Sequence, residues 1–277
     1  MVYYSYPVCL TVAGSDCSGG AGIEADLKTM SALGVYDMSV ITVVTAQNTQ
    51  GVTAIHAIPA AIVTAQLEAI FTDIKCDTVK TGMLYSADIA NALIDTLDKY
   101  SPRNIILDPV MVSTSGHRLA GDDLCRILQE RLFARTTLIT PNIPEAALLS
   151  GVEISGEKDM YRAGEALLKA GCAAVLIKGG HLDGETMSDI LFRRDREPKR
   201  FSAQKVDTAN THGTGCTLSS AIASYIALGK ELEEAVAQAK YYISRALEAG
   251  AGIALGKGHG PVNHLFDPQP LRPVKNK

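Results

Sequence analysis

The stretch Asn210-Thr211-His212-Gly213-Thr214-Gly215-Cys216-Thr217-Leu218-Ser219-Ser220 starts polar, crosses two glycines and enters the apolar run Ala221 to Leu228. This is the pattern of a loop feeding the N-terminus of a helix. First-turn amides of a helix lack intrahelical partners and point out of its end. Glycines let such amides approach an anion without interference from a Cβ. Cys216 falls at the positive end of this helix, where a thiol pKa is lowered. One turn would then hold an anion site and an activated side chain; the plainer alternative is a glycine-rich helix start with a buried cysteine.

Other polar residues stand where apolar runs end. Asp108 follows Asn104 to Leu107, and either caps its loop or helps hold Mg²⁺ or position a hydroxyl. Asn142 and Glu145, spaced i and i+3 at a helix start, read as a capping box or as a pair ordering Mg²⁺ and its waters. Lys178, before Gly179-Gly180, is either a solvated lysine or a cation on a transferring phosphoryl group. Gln47 is either a loop amide satisfied by backbone or a reader of a heteroaromatic ring through its donor and acceptor. Asp26 reads as a surface acid one turn into a helix, and Met83 as a core residue or a thioether on a ring face. Taken together, an anion hole, a neighbouring base, acids for Mg²⁺ and a lysine are what phosphoryl transfer requires, because it depends on positioning and charge stabilisation.

The elements that must position these residues alternate. Val8 to Ala13, Met38 to Ala46, Thr78 to Thr81, Asn104 to Leu107, Thr136 to Thr140 and Ala173 to Ile177 read as strands. Helices are expected over Ile23 to Leu33, Ala60 to Asp73, Ala87 to Tyr100, Leu124 to Leu132, Met160 to Ala170 and Leu232 to Ala249. Such alternation predicts an α/β fold with a mostly parallel sheet and helices on both faces. Val52 to Ile58 reads as a short extra strand, and Thr186 to Phe192 with Arg200 to Val206 as an antiparallel edge hairpin with a charged tip. In an open parallel sheet the loops after the strands lie along one edge, where ligands bind. Asp16, Gln47, Met83, Asp108, Asn142, Glu145 and Lys178 are therefore expected to converge there. The Gly14 to Gly22 turn fits neither a G-x-G-x-x-G fingerprint nor a P-loop.

Composition narrows the function classes. With 26 basic and 30 acidic residues the net charge is −4, and the lack of a basic block or any tryptophan argues against nucleic acid as a partner. No membrane span, and no signal peptide at the N-terminus, is expected. The six cysteines and six histidines show no metal spacing, and the cysteines read as reduced thiols of a cytoplasmic protein. One domain over residues 1–277 is expected, with a loosely ordered tail over 266–277.

Gly14-Ser15-Asp16-Cys17-Ser18-Gly19-Gly20-Ala21-Gly22-Ile23-Glu24-Ala25-Asp26-Leu27-Lys28 resembles the opening of the hydroxymethylpyrimidine/phosphomethylpyrimidine kinases of thiamine biosynthesis, within the ribokinase superfamily. Ala46-Gln47-Asn48-Thr49, Thr81-Gly82-Met83-Leu84, Asp108-Pro109-Val110-Met111, Thr140 to Ala146, Ile177 to His181 and the Gly213-Thr214-Gly215-Cys216 segment follow in the order of that family. The resemblance implies a three-layer α/β/α ribokinase-like sandwich and an ATP-dependent kinase, homodimeric as the family often is. It would phosphorylate 4-amino-5-hydroxymethyl-2-methylpyrimidine and then its monophosphate; pyridoxal kinase activity on the same scaffold is the alternative. It further implies that Gln47 reads the aminopyrimidine, with Gly14, Asp26, Met83 and Val110 lining its pocket. Gly213, Thr214 and Gly215 would form the anion hole and Cys216 would be the base. Lys178, Asn142 and Thr211 would meet ATP phosphates, Asp108 and Glu145 would handle Mg²⁺, and Val112 to Leu119 would form a flap. The thiamine-phosphate synthase domain fused to some relatives is expected to be absent.

Overall fold

Strands that are apolar at every position cannot face water on either side, so they must be covered by helices on both. The computed structural model, which describes residues 4–111, 121–180 and 186–275, shows this arrangement. In chain order the elements begin with β1 (Tyr4–Ser5), β2 (Val8–Asp16), α1 (Gly22–Ala32), β3 (Tyr36–Asn48), β4 (Gly51–Ala57), α2 (Ala60–Phe71), β5 (Thr78–Thr81) and α3 (Ala87–Tyr100). There follow β6 (Ile105–Leu107), α4 (Asp122–Ile127), β7 (Leu138–Ile139), α5 (Ile143–Ser150), α6 (Glu157–Lys169) and β8 (Ala174–Ile177). The last are β9 (Thr186–Arg193), β10 (Arg196–Gln204), α7 (Thr214–Ala227), α8 (Leu232–Gly250) and β11 (Val274–Lys275).

Among the described residues the central sheet has nine strands in the order β10-β9-β8-β7-β6-β5-β2-β3-β4. The six inner strands from β8 to β3 run parallel, while β4 and the β9–β10 hairpin are antiparallel additions at the two edges. Alternate residues of each strand feed two separate cores. Ile105, Leu107, Ile139, Val175 and Ile177 pack with α2 to α6. Ile106, Leu138, Ala174 and Leu176 pack with α1, α7 and α8. The order of connection reverses between β2 and β5, since β3 lies on one side of β2 and β5 to β8 on the other. A crevice therefore opens beyond the carboxyl ends of β2 and β5.

The structure differs from expectation in several elements. Strand β7 is only two residues long, although Thr140 continues toward β6 through its amide to the Leu107 carbonyl at 2.9 Å. The expected Leu124 to Leu132 helix starts at Asp122 and widens into a π-turn over Leu128–Leu132 before a 3₁₀ turn at Phe133–Arg135. The edge hairpin turns more tightly than its charged sequence suggests: Arg193 and Arg196 are paired, and Asp195 takes φ 56° between them. Ladder pairing uses the backbone, so charged side chains can stay solvated on an edge strand. The tail expected to be loose is laid against the body: the Gln269 amide bonds the Ala32 carbonyl at 2.7 Å, and Val274–Lys275 pairs with Tyr4–Ser5. The segment Val112 to Leu119, and His117 and His181, lie outside the described residues.

One close contact gives a test of the packing. A Cβ on Gly164 of α6 would come within 2.5–2.6 Å of three ring carbons of Phe192, which is 1 % exposed. Gly→Ala in a helix usually stabilises, but here overpacking should dominate. Gly164→Ala is expected to lower stability by about 1–3 kcal/mol, read as a lower urea midpoint with an unchanged slope.

Candidate active site

Beneath the crevice lies a charge network that the sequence only half discloses. Lys80, on β5, is fully buried and points to the α1/α7 side of the sheet, because the adjacent Val79 faces the other core. Its Nζ donates to both carboxylate oxygens of Asp26 on α1 at 2.9 and 2.8 Å. Asp26 also accepts from the Thr11 hydroxyl on β2 at 2.6 Å and the Ser220 hydroxyl on α7 at 2.6 Å. The expectation that Asp26 is a surface acid is therefore corrected: it is 0 % exposed and saturated by donors from three other elements. Burial disfavours the Lys80 charge, but Asp26 beside it, with Cys216 and Asp108 beyond, holds the ammonium above its usual range. Sequence reading passed over Lys80. A lysine inside a strand that must be covered on both faces was the available signal.

Cys216 sits above this pair, half-buried, one helical turn before Ser220. The expected lowering of its pKa is not found. Loss of water pushes the thiol up to about 11, and Asp26 and Asp108 add to the shift. Lys80 and the Gly22 amide pull the other way without overcoming burial.

The helix start itself is shaped by close approaches. Gly213 has φ 80°, and a Cβ there would lie 1.9 Å from the Gly20 carbonyl oxygen. Gly22, at φ 57°, would strike the Gly14 carbonyl oxygen at 2.2 Å. The two glycine-bearing loops thus interlock, and Gly213 is needed for that contact whether or not an anion binds. Thr214 turns its amide and its hydroxyl back to the Thr211 carbonyl, at 3.2 and 2.6 Å. Of the expected anion-hole amides, those of Gly213, Thr214 and Gly215, Thr214 is already engaged; the Cys216 amide is a further first-turn donor. The exposed Thr211 acts here through its carbonyl, as the cap of that turn. A Cβ on Gly215 would come 3.3 Å from Lys178 Nζ and 3.8 Å from Asp108 Oδ2, so the helix end, the lysine and the acid share one space.

Lys178 extends from the end of β8, where its amide bonds the Pro141 carbonyl at 2.9 Å. The alternative of a solvated lysine is removed: its side chain is 13 % exposed and bonds Asp108 Oδ1 at 2.8 Å. Asp108 also accepts from Thr140 at 3.0 Å and Ser219 at 3.4 Å. Burial would raise the Asp108 pKa, but Lys178 and Lys80 hold it below the usual carboxylate range. Asn142 and Glu145 form a complete capping box on α5, with bonds of 2.9 and 2.8 Å. Burial, with Asp108 nearby, pushes Glu145 up to about 7 against the pull of Lys178.

The other expected residues lie at the ends of neighbouring strands. A Cβ on Gly14 would meet Val43 at 2.6 Å and the Met83 sulfur at 3.6 Å, so Gly14 keeps open a gap beside that half-buried thioether. Gln47, at the end of β3, contacts His212 at 3.2 Å and Thr45 at 3.2 Å. Val110 is half-buried two residues after Asp108. Asp16 does not join the acids: its carboxylate is consumed by Ser18, Gly20, Ala21 and His212. The expected convergence is thus resolved into an ionic group at the start of α7 (Asp108, Glu145, Lys178) and a neutral one at the ends of neighbouring strands (Gly14, Gln47, Met83), joined to the loop before α7 by the Gln47–His212 contact. A groove of about 430 Å³ lined by Glu165, Leu168, Lys169 and Arg194 lies at the opposite edge of the sheet and carries none of this chemistry.

A three-layer sheet, with an ionic group at a helix N-terminus and a neutral one at the carboxyl edge of its strands, is the architecture of the ribokinase-like kinases. The sequence agrees: the profile of the phosphomethylpyrimidine kinase family matches residues 16–263, and the chain belongs to that family. It is 48 % identical over 259 residues to the hydroxymethylpyrimidine/phosphomethylpyrimidine kinase of Rhizobium meliloti, covering 93 % of this chain and 97 % of that protein. It is 49 % identical to a thiamine biosynthesis bifunctional protein of Geobacter sulfurreducens, over 95 % of this chain but only 53 % of that longer protein. Among solved structures, the phosphomethylpyrimidine kinase of Clostridium difficile matches with TM-score 0.77 and 47 % identity, covering 87 % and 99 % of the two chains. The pyridoxal kinase of Staphylococcus aureus in complex with AMP-PCP and pyridoxal matches with TM-score 0.86 and 30 % identity, over 94 % of each chain.

Two outcomes follow for the buried charges. Lys80→Met leaves Asp26 buried without its cation and should cost about 3–5 kcal/mol, measured by urea unfolding. Glu145 has a folded-state pKa near 7 against an ordinary value of 4.5. The folded protein therefore holds that proton more tightly, and the resulting stability is full below about 4.5 and lost as pH rises through about 7. Without ligands, the unfolding free energy of the unmodified chain should fall relative to that of Glu145→Gln across this window.

Proposed function

We propose that this chain transfers the γ-phosphoryl group of ATP to the hydroxymethyl oxygen of 4-amino-5-hydroxymethyl-2-methylpyrimidine, and then a second phosphoryl group to the monophosphate. The observation that carries the reading is the start of α7, with Lys178 and Asp108 against Gly215, Gln47 against His212 two residues before the helix, and Gly14 beside Met83 at neighbouring strand ends. An anionic donor and a neutral ring need such a division. One catalytic domain over residues 1–277 belongs to the same reading, supported by a single nine-stranded sheet. Six free cysteines support a reducing compartment such as the cytoplasm. A homodimer is carried by the family resemblance.

In this reading Gln47 orients the ring, with Met83 and Val110 against its faces and Gly14 leaving room for its edge. Asp26 forms the floor through its network rather than as a free carboxylate. Cys216 accepts the hydroxyl proton as the oxygen attacks phosphorus, and the bond from phosphorus to the bridging oxygen of ADP breaks. A loose transition state needs that proton removed late, so a thiol with a high pKa suits the task once deprotonated. Lys178 and the Gly215 and Cys216 amides hold the charge that develops on the phosphoryl oxygens, with Asn142 and Thr211 at the edges of this phosphate side. The donors suit Mg²⁺: among the described residues no cluster of three metal-ligating side chains exists, and Mg²⁺ keeps several waters and few protein ligands. Glu145, a carboxyl raised toward neutrality by burial and by Asp108 nearby, and Asp108 itself would hold it. When bound, Mg²⁺ supplies neutralisation of the ATP phosphate charge.

Pyridoxal is the second reading, supported by the backbone match to a pyridoxal kinase; kcat/KM for the two rings separates them. With ATP, Mg²⁺ and the hydroxymethylpyrimidine, steady-state ADP release is expected, and no turnover of either pyrimidine would sink the reading. Cys216→Ala should lower kcat by about 10²–10⁴-fold with little change in the KM for ATP. Because the base must be deprotonated and its thiol is raised to about 11, kcat/KM should climb with pH between 7 and 9.5 (about tenfold per unit). Cys216→Asp should flatten that climb.

A further inference from the structure

Asp16, His212 and Gln47 meet in a contact that the reaction itself does not use. His212, in the loop before α7, is 6 % exposed, has its ring against Gly20, and is held by its amide to the Gly260 carbonyl at 3.0 Å. Its Nε2 is 2.8 Å from Asp16 Oδ2 and 3.2 Å from the side-chain amide of Gln47. One ring nitrogen can offer a hydrogen or a lone pair, not both, so it cannot donate to Asp16 and accept from Gln47. The Asp16 carboxylate takes hydrogen bonds from the Ser18, Gly20 and Ala21 amides and the Ser18 hydroxyl. It is ionised and accepts only. His212 Nε2 therefore carries a hydrogen and donates it, which leaves no lone pair for an N–H of Gln47.

The Gln47 atom facing His212 must then be oxygen, an assignment that rests on the network because amide oxygen and nitrogen are placed by their partners. The rest of the network agrees. Thr45 gives its hydroxyl hydrogen to the Ser15 carbonyl at 2.9 Å, so its oxygen is free to accept. With the amide turned over so that its oxygen faces His212, its NH₂ takes the place 3.2 Å from the Thr45 hydroxyl and donates to it. In this orientation no two hydrogens are opposed, whereas the reverse one sets a Gln47 N–H against the His212 N–H. Gln47 retains one oxygen lone pair on the His212 side and one N–H on the Thr45 side, in fixed order.

We propose that His212 is a positioning residue that locks the side-chain amide of Gln47 in one orientation and thereby selects rings bearing an exocyclic amine next to a ring nitrogen. The inference rests on Gln47 as the reader of the ring. An aminopyrimidine offers the amine hydrogen to the Gln47 oxygen and the ring nitrogen to its N–H. Pyridoxal has no amine beside its ring nitrogen. The same lock ties ring reading to α7, since His212 lies one residue before Gly213 and four before Cys216.

The test is a double-mutant cycle on the full-length protein with Gln47→Ala, His212→Phe and both together, read as kcat and KM for the hydroxymethylpyrimidine and for pyridoxal. His212→Phe should raise the pyrimidine KM about tenfold, the effect of one lost hydrogen bond to a polar substrate group, with kcat within about threefold. Preference for pyrimidine over pyridoxal should fall by a similar factor. His212→Gln, which keeps an N–H near the same place, should restore most of the KM. The double variant should be no worse than Gln47→Ala alone. If the KM effects of the two substitutions multiply in an enzyme that turns over the pyrimidine, His212 serves only the fold and the inference is overturned. If Gln47→Ala leaves KM unchanged, the ring-reading role falls and the inference with it. Absence of any pyrimidine turnover in the unmodified enzyme would instead refute the proposed function. Should His212→Phe fail to fold, the same cycle with Asp16→Asn and Gln47→Ala gives the answer, because Asp16 fixes the His212 hydrogen.

Discussion

Lys80 and Asp26 meet at 2.8 Å with neither side chain in contact with water, and the geometry of the site follows from that pair. Removing two charges from water costs several kcal/mol each, and their attraction offsets this only where geometry is good and the remaining hydrogen-bonding positions are filled. Here they are filled by Thr11 and Ser220, so β2, β5, α1 and α7 are each bound to the same point. A helix held at Ser220 has its preceding turn, with Cys216, fixed over the crevice. The arrangement favours one placement of α7 over others that an apolar contact would tolerate.

The same pair governs the electrostatics above it. A helix N-terminus favours an anion by about 0.3–1 kcal/mol at an exposed site and up to about 2 in partly buried ones. Taking a thiolate out of water costs more than that, and Asp26 and Asp108 oppose the charge further. Burial therefore decides the state of Cys216, and Lys80 moderates the result. The balance runs the opposite way for Asp108, because Lys178 lies in direct contact and Lys80 adds to it. Two groups close in space to the same helix end are thus driven in opposite senses by their surroundings.

Close backbone approaches complete the site. Gly213 against Gly20 interlocks the loops after β2 and before α7, and Gly22 against Gly14 closes the turn between β2 and α1. Gly258 lies where a Cβ would be 2.0 Å from the Thr49 carbonyl oxygen, so the loop after α8 is pressed against the hairpin that carries Gln47. Segments more than 190 residues apart in sequence are in this way fixed relative to one another with no large side chain between them.

Much of this was legible in sequence. Apolar runs ending in polar or glycine-bearing residues located the strands and put Asp108, Asn142 and Lys178 at one edge of a parallel sheet, because a strand buried on both faces has a one-dimensional signature. The capping box of Asn142 and Glu145 was readable for the same reason, its partners being three residues apart. Lys80 and the burial of Asp26 were not, since their partners come from four elements spread between Thr11 and Ser220. The pKa of Cys216 was misjudged from a local rule, the helix end, where a non-local quantity, desolvation, prevails. Sequence by itself determined which residue types reach the sheet edge and in what order, because periodicity and turn chemistry act over a few residues. Only the tertiary structure decided which charges are paired, which carboxylates are buried and which backbone segments touch, because those depend on atoms brought together across the whole chain.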